Sequence, residues 1–347
     1  MSAFGGKADI ARTHCNVCFG PKADIKIAEL LCRTTQPLTE RCGRGKVVDP
    51  RGGRESVVES SHMVEPRVTR VPNNFRWPGG HHIALIFNIA YEAWSQGKAP
   101  GIGPMGNPLP AGAFDANALS WGNYGSRTGI ERLLRALDRN RVQASVMVSG
   151  VLAERAPNQV RAIAEASHEI VAHSHAQDMI PTTLSEEENR KNIARTTTLL
   201  QQVSGVRPKG WISPRGTAGT EALVLLAESG YEWHSDVLDE DKPYLQRFDH
   251  GQLLAIPFTV EINDLSHAMR YGRTPRQFVD MFDDFLSHAL LLKDDVIIID
   301  VTAHAHCYGR PGGAWAYEEI VGKMARREDV WITTRQKIAN AALRTLS

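Results

Sequence analysis

The chain is 347 residues long, 42% hydrophobic, 23% charged and 7% aromatic, a composition that excludes the disordered and fibrous classes. Forty Lys and Arg against 39 Asp and Glu give a formal net charge of +1, so no whole-chain basic field argues for nucleic acid or an anionic membrane. A membrane-spanning helix needs roughly 20 successive apolar residues, and the best apolar runs, 253–260 and 296–301, are strand-length.

Residues 1–71 carry Gly5-Gly6, Arg51-Gly52-Gly53-Arg54 and Glu59-Ser60-Ser61 with no sustained period that would define a buried face. This stretch is predicted to be a low-structure extension ahead of a single domain at 72–347. It holds 12 Lys/Arg and 8 Asp/Glu, leaving the body at net −3. Lys7, Asp9, Arg12, Lys22, Asp24 and Lys26 interrupt every candidate for the apolar centre of a secretory signal, so a cytoplasmic protein is expected. Cys15 and Cys18 have zinc-ribbon spacing, but Cys32 and Cys42 are separated by nine residues rather than two; an unfolded extension, or a natural start at Met63, is the simpler reading.

The body alternates strands with helices. A strand at 83–89 precedes an amphipathic helix at 129–137, with Ile130, Leu133, Leu134 and Leu137 on one face. A strand at 144–148, a helix at 157–166 with Pro157 in its first turn, and a strand at 169–172 follow. Ser185 with Glu188 reads as a capping box opening a helix that ends near Gly205. Next come strand 210–213, helix 220–229, strand 232–237 and the apolar run 253–260. Thr274-Pro275 opens the helix of Phe278, Met281, Phe282, Phe285 and Leu286. Strand 296–301, helix 318–327, strand 330–333 and helix 337–346 close the chain. Such alternation predicts parallel strands buried on both faces, and a (β/α) barrel is the economical solution.

Chemistry in such barrels sits just past the strand ends. Those positions hold Asn88 and Glu92, His173 and Asp178, Trp211 and Arg215, His234, Asp236 and Asp239, Asn263 and Asp264, and His304 and His306. This is a constellation for metal-assisted or acid/base hydrolysis. Glu92 alone could equally be a solvated loop carboxylate, and His304 and His306 flank Ala305, so either could face the pocket. Cys307 has no identifiable base and reads as a small buried residue. Residues 98–110 are rich in Gly and Pro and read as a rim loop or lid.

Several segments resemble the polysaccharide deacetylase superfamily, also called the NodB homology domain, and more narrowly its allantoinase-like and cyclic-imide-hydrolase-like branch. They are Phe87-Asn88-Ile89-Ala90-Tyr91-Glu92, Ser167-His168-Glu169-Ile170 leading to Ala172-His173-Ser174, Arg207-Pro208-Lys209-Gly210-Trp211 with Ser213-Pro214-Arg215-Gly216, residues 231–241, and His304 with Gly309-Arg310-Pro311-Gly312. The resemblance covers 72–347 and implies a distorted (β/α)7 barrel that hydrolyses a non-peptide C–N bond. It also implies a divalent metal, zinc in the first instance, held in the deacetylases by an aspartate and two histidines. Two positions depart from that pattern. Asn88, with Glu92 four residues on, stands where the family has adjacent aspartates, and Gln177 stands where a second histidine would follow His173.

On this resemblance the expected roles are Glu92 as base or metal ligand, His173 and Asp178 as metal ligands, Arg215 orienting an acid, and His304 as general acid. Asn88, Trp211, His234, Asp236 and Asn263 are expected to contact substrate. The expected substrate is a small, cyclic amide such as allantoin or an imide, with no nucleic-acid or membrane partner and a homo-oligomer left open. An N-deacetylase of an amino sugar and a non-catalytic ligand-binding barrel are the alternatives.

Overall fold

The computed structural model describes residues 65–100, 109–110 and 112–346. Its strands are β1 (Arg67–Arg70), β2 (Ile83–Tyr91), β3 (Ser145–Val148), β4 (Glu169–Ala172), β5 (Gly210–Trp211), β6 (Trp233–His234), β7 (Tyr244–Phe248), β8 (Gly251–Ala255), β9 (Ile297–His304) and β10 (Trp331–Thr333). Seven of them run parallel in the spatial order β8-β6-β5-β4-β3-β2-β9 and curve into a barrel-like sheet. β10 adds to the first half of β2, over Ala84–Ile86, and β3 to its second half.

The barrel is not closed strand to strand. Between β8 and β9 the chain crosses with one backbone bridge, Asn263 to Thr302. It is pinned further by Thr259, whose N–H donates to Asp300 Oδ2 and whose hydroxyl donates to the Ile298 carbonyl, both at 2.9 Å. Beyond β8 the sheet continues as an antiparallel hairpin through β7 to β1. The sequence pattern missed both of those strands. Arg67–Arg70, expected to lie in the extension, form an edge strand, and Val71 is buried. The rest of that expectation, with the cysteine pairs and Met63, lies outside the described residues.

Alternation in β2 explains why the strands are apolar on both faces. Ile83, Leu85, Phe87, Ile89 and Tyr91 pack in the layer shared with the helices, while Ala84, Ile86 and Ala90 pack inside with Trp233, Leu254 and Ile298. The capping box of Ser185 with Glu188 forms and opens the helix Glu186–Ser204, and Thr274 with Gln277 makes a second one that opens Pro275–Ala289. The helix expected at 318–327 starts earlier, at Pro311, which takes the first-turn position that proline tolerates. The barrel interior is polar at one level, where Asp300 and Arg335 pair at 2.5 Å with neither exposed. Asn88 Nδ2 also donates to Asp300 at 2.7 Å, and Arg335 donates to Ser235 Oγ at 2.6 Å. No helix among the described residues is long and apolar enough to cross a membrane.

Candidate active site

Two pleat repeats beyond Asn88, Glu92 follows β2 on its interior face. β9 runs three residues further than its apolar run, to His304, and Ala90 pairs with His304 in register. Thr302, His304 and His306 therefore share the interior face, and both histidines reach the carboxylate. Ala305 between them donates its N–H to the Ala90 carbonyl at 2.9 Å. Gly129 and Gly309 flank it closely: a Cβ on either would fall 1.8 or 2.0 Å from the Ala305 oxygen, so neither position admits a side chain.

Three imidazoles converge on Glu92. His173 Nε2 is 3.2 Å and His304 Nε2 is 3.6 Å from Oε1, while His306 Nε2 is 3.9 Å from Oε2. His173 is fixed from behind, its Nδ1–H donating to the Ile212 carbonyl at 2.6 Å. Asp264 fixes His304: Oδ1 accepts from Nδ1 at 2.6 Å, and Oδ2 accepts the backbone N–H of His304 at 2.8 Å and of Tyr308 at 3.0 Å. Trp94 and Trp121 stand edge-on to the His306 ring at centroid distances of 5.3 and 4.5 Å. The tryptophans and the orienting role of Asp264 were not legible as site features.

Burial opposes the charged form of both Glu92 and His304, yet their mutual attraction wins. Desolvation would raise the Glu92 carboxyl, but the imidazoles of His304, His173 and His306 hold it down at about 2. Desolvation would likewise lower His304, but Asp264 and then Glu92 lift it to about 9. At neutral pH the pair is a carboxylate beside an imidazolium, a base and an acid within reach of one another.

The other expected site residues divide. Asn88 is part of the Asp300 network and bonded also to Thr302, which places it in the barrel interior as a structural group. Trp211 lies on the helix side of β5, edge-on to Tyr231 and hydrogen-bonded to Ser213 Oγ, so it lines the outer core and not the pocket. His234 pairs with Gln246 of β7 at 2.8 Å. Asn263 accepts the N–H groups of Leu265 and Ser266, capping the turn that carries Asp264. Arg215, expected to orient an acid, is exposed with φ +62° and makes no ion pair among the described residues. Asp236 stays near the site: Oδ1 accepts the Ser213 N–H at 2.7 Å, Oδ2 has no partner, and burial raises its carboxyl while His234, then Ser213 and His173, partly offset this. Residues 101–108 of the expected lid lie outside the described residues.

The metal set expected from the deacetylases is not assembled. Asp178 accepts the Ser95 N–H at 2.7 Å instead of turning to His173. Gln177 donates its amide to Ser149 Oγ and the His173 carbonyl, so it offers N–H where a ligand must offer a lone pair. Among the described residues no group of three or more His, Cys, Asp and Glu is arranged to hold a metal ion.

The polysaccharide deacetylase family model matches residues 114–234. A Schizosaccharomyces pombe protein described as a polysaccharide deacetylase is 25% identical over 306 residues, covering 76% of this chain and 91% of that one. The solved structure of a protein described in the same way from Mycobacterium smegmatis superposes with a TM-score of 0.68 at 26% identity, over 81% of this chain and 96% of the other. The chain is similar to the polysaccharide deacetylases over about three quarters of its length, with the family model itself matched over residues 114–234. PuuE allantoinase, with a TM-score of 0.67 at 25% identity over 76% of this chain and 91% of its own, places the allantoinase-like branch among its structural relatives. These similarities support a hydrolase of C–N bonds other than peptide bonds.

Proposed function

We propose that this hydrolase opens a small cyclic amide, such as allantoin or an imide, using Glu92 as general base and His304 as general acid. The Glu92 carboxylate facing a His304 imidazolium that Asp264 backs at 2.6 Å carries this reading. Amide hydrolysis requires a deprotonated nucleophile and a protonated leaving nitrogen, and this pair supplies both. Glu92 takes a proton from water as the water oxygen bonds to the carbonyl carbon. His304 supplies positive charge beside the forming oxyanion, then gives its Nε2 proton to the ring nitrogen as the C–N bond breaks. The products are a carboxylic acid and, on the same opened chain, the amide or ureido group that the departing nitrogen still carries. Backed by Asp264, the discharged His304 is a stronger base than the Glu92 carboxylate, so the proton that Glu92 acquired passes back across 3.6 Å to His304. His173, fixed on the Ile212 carbonyl, positions the carboxylate.

A cyclic amide is favoured over an amino-sugar acetamide because the donor set for the sugar deacetylases' metal is replaced at Asn88 and Gln177, and because PuuE allantoinase is similar over most of both chains. Turnover of a panel of ureides, cyclic imides and N-acetylglucosamine oligomers tests this. Ring opening by the wild type, lost in Glu92→Gln, is expected. Deacetylation of the sugar with the rings left intact refutes it.

A further inference from the structure

His306 differs from the two histidines beside it. His173 and His304 each have Nδ1 committed to a protein acceptor, which fixes the tautomer and aims Nε2 at Glu92. His306 is 1% exposed, and neither ring nitrogen has a hydrogen-bond partner in the protein. Buried polar atoms are almost always partnered, and a ring with both nitrogens unpaired beside two reacting groups calls for a partner from outside the protein. The cage itself does not call for histidine. Trp94 and Trp121 meet the ring edge-on, and a phenylalanine would satisfy the same packing without burying two unpaired nitrogens. The proton inventory does not need it either: burial pulls the imidazole down to about 4 against the attraction of Glu92, with His304 and Arg310 nearby adding to the fall. At neutral pH it is an uncharged ring with one N–H and one lone pair, free to exchange them.

We propose that His306 is the substrate-recognition residue of this site, pairing its N–H and its lone pair with the C=O and N–H edge of the amide ring held beside Glu92 and His304. The inference rests on the cyclic-amide reading and adds which residue selects that chemistry. An acyclic ester or a purely apolar ring lacks the N–H, leaves a buried nitrogen unpaired, and is rejected for that reason. Because tautomer exchange costs His306 no change of charge, either orientation of the donor–acceptor edge is accommodated.

His306→Phe keeps the ring packing and removes the nitrogens, while His306→Asn and His306→Gln restore an amide at the Nδ1 or Nε2 position. With a cyclic amide, His306→Phe is expected to raise KM by about 10–100-fold with kcat within about threefold and the melting temperature unchanged, and one amide variant is expected to recover KM. An unchanged KM in His306→Phe overturns the inference and leaves the proposed reaction standing. So does a loss confined to kcat, which would make the ring part of proton transfer. If the wild type opens no ring, the proposed function has failed, and the inference is read by nuclear magnetic resonance of 15N-histidine-labelled protein with hydantoin as probe. A ring-nitrogen resonance that shifts on addition and is missing from His306→Phe supports recognition; no shift overturns it.

Discussion

Replacing Asp264 with Asn removes the negative charge that keeps His304 protonated while barely changing side-chain volume. The lift of His304 from its ordinary 6.5 to about 9 is worth on the order of 3 kcal/mol at 1.36 kcal/mol per pH unit. Asp264 contributes more of it than Glu92 does, so its loss lowers the imidazole by roughly 1–2 pH units. Asp264 Oδ2 accepts two backbone N–H groups, and an Asn that keeps its oxygen there must turn its NH2 toward His304 Nδ1. The ring then has to accept at Nδ1 and the imidazolium is disfavoured, so kcat is expected to fall roughly 10²–10⁴-fold, as for loss of a general acid. The assay is kcat/KM from pH 5 to 10. In the wild type the alkaline limb falls near 9, and in Asp264→Asn what activity remains falls near 7–8. Stability follows the same sign. A raised imidazole stabilises the fold fully below 6.5 and loses that contribution as pH rises through about 9, so the wild-type melting temperature drops across that window and the variant's drops earlier. An unchanged kcat with an alkaline limb still near 9 would refute the assignment of Asp264 and with it the acid.

Two further outcomes are expected. Activity should survive exhaustive dialysis against a chelator, because the carboxylate and imidazolium are engaged with each other; loss with recovery on adding Zn2+ would show that Glu92 is a ligand and not the base. Arg335→Met should destabilise the protein by about 3–5 kcal/mol in urea unfolding, because it strands the Asp300 charge in the barrel interior; a change under 1 kcal/mol would contradict the buried pair.

The reach of the sequence depended on strand length. β2 and β9 are long apolar runs, so the sequence located their ends and the polar residues Glu92, His304 and His306 beyond them, but spacing alone left open which of these enters the pocket. β5 and β6 are two residues each, too short to fix the phase, and Trp211 and His234 were read onto the wrong side of the sheet. Asn263 and Asp264 are adjacent acceptors in a turn, and nothing in the chain says which caps the backbone and which reaches His304. Trp94 and Trp121 come from a loop and a helix on either side of a breaker-rich segment, and their meeting at His306 is tertiary. Tyr244–Phe248 carries Gln246 and Arg247 among its apolar residues, so it reads as loop until its antiparallel partner supplies the pairing.

The open seam between β8 and β9 ties catalytic competence to local unfolding. Asp264 rides on the segment that crosses it, held by one backbone bridge and the bonds of Thr259, so fraying there costs far less than global unfolding. Each such excursion withdraws the carboxylate and lets His304 discharge while the rest of the barrel stays folded. Heat or mild denaturant should therefore silence the enzyme before any spectroscopic transition. The amide protons of Thr302 and His304 should exchange with solvent ahead of those in β3 and β4.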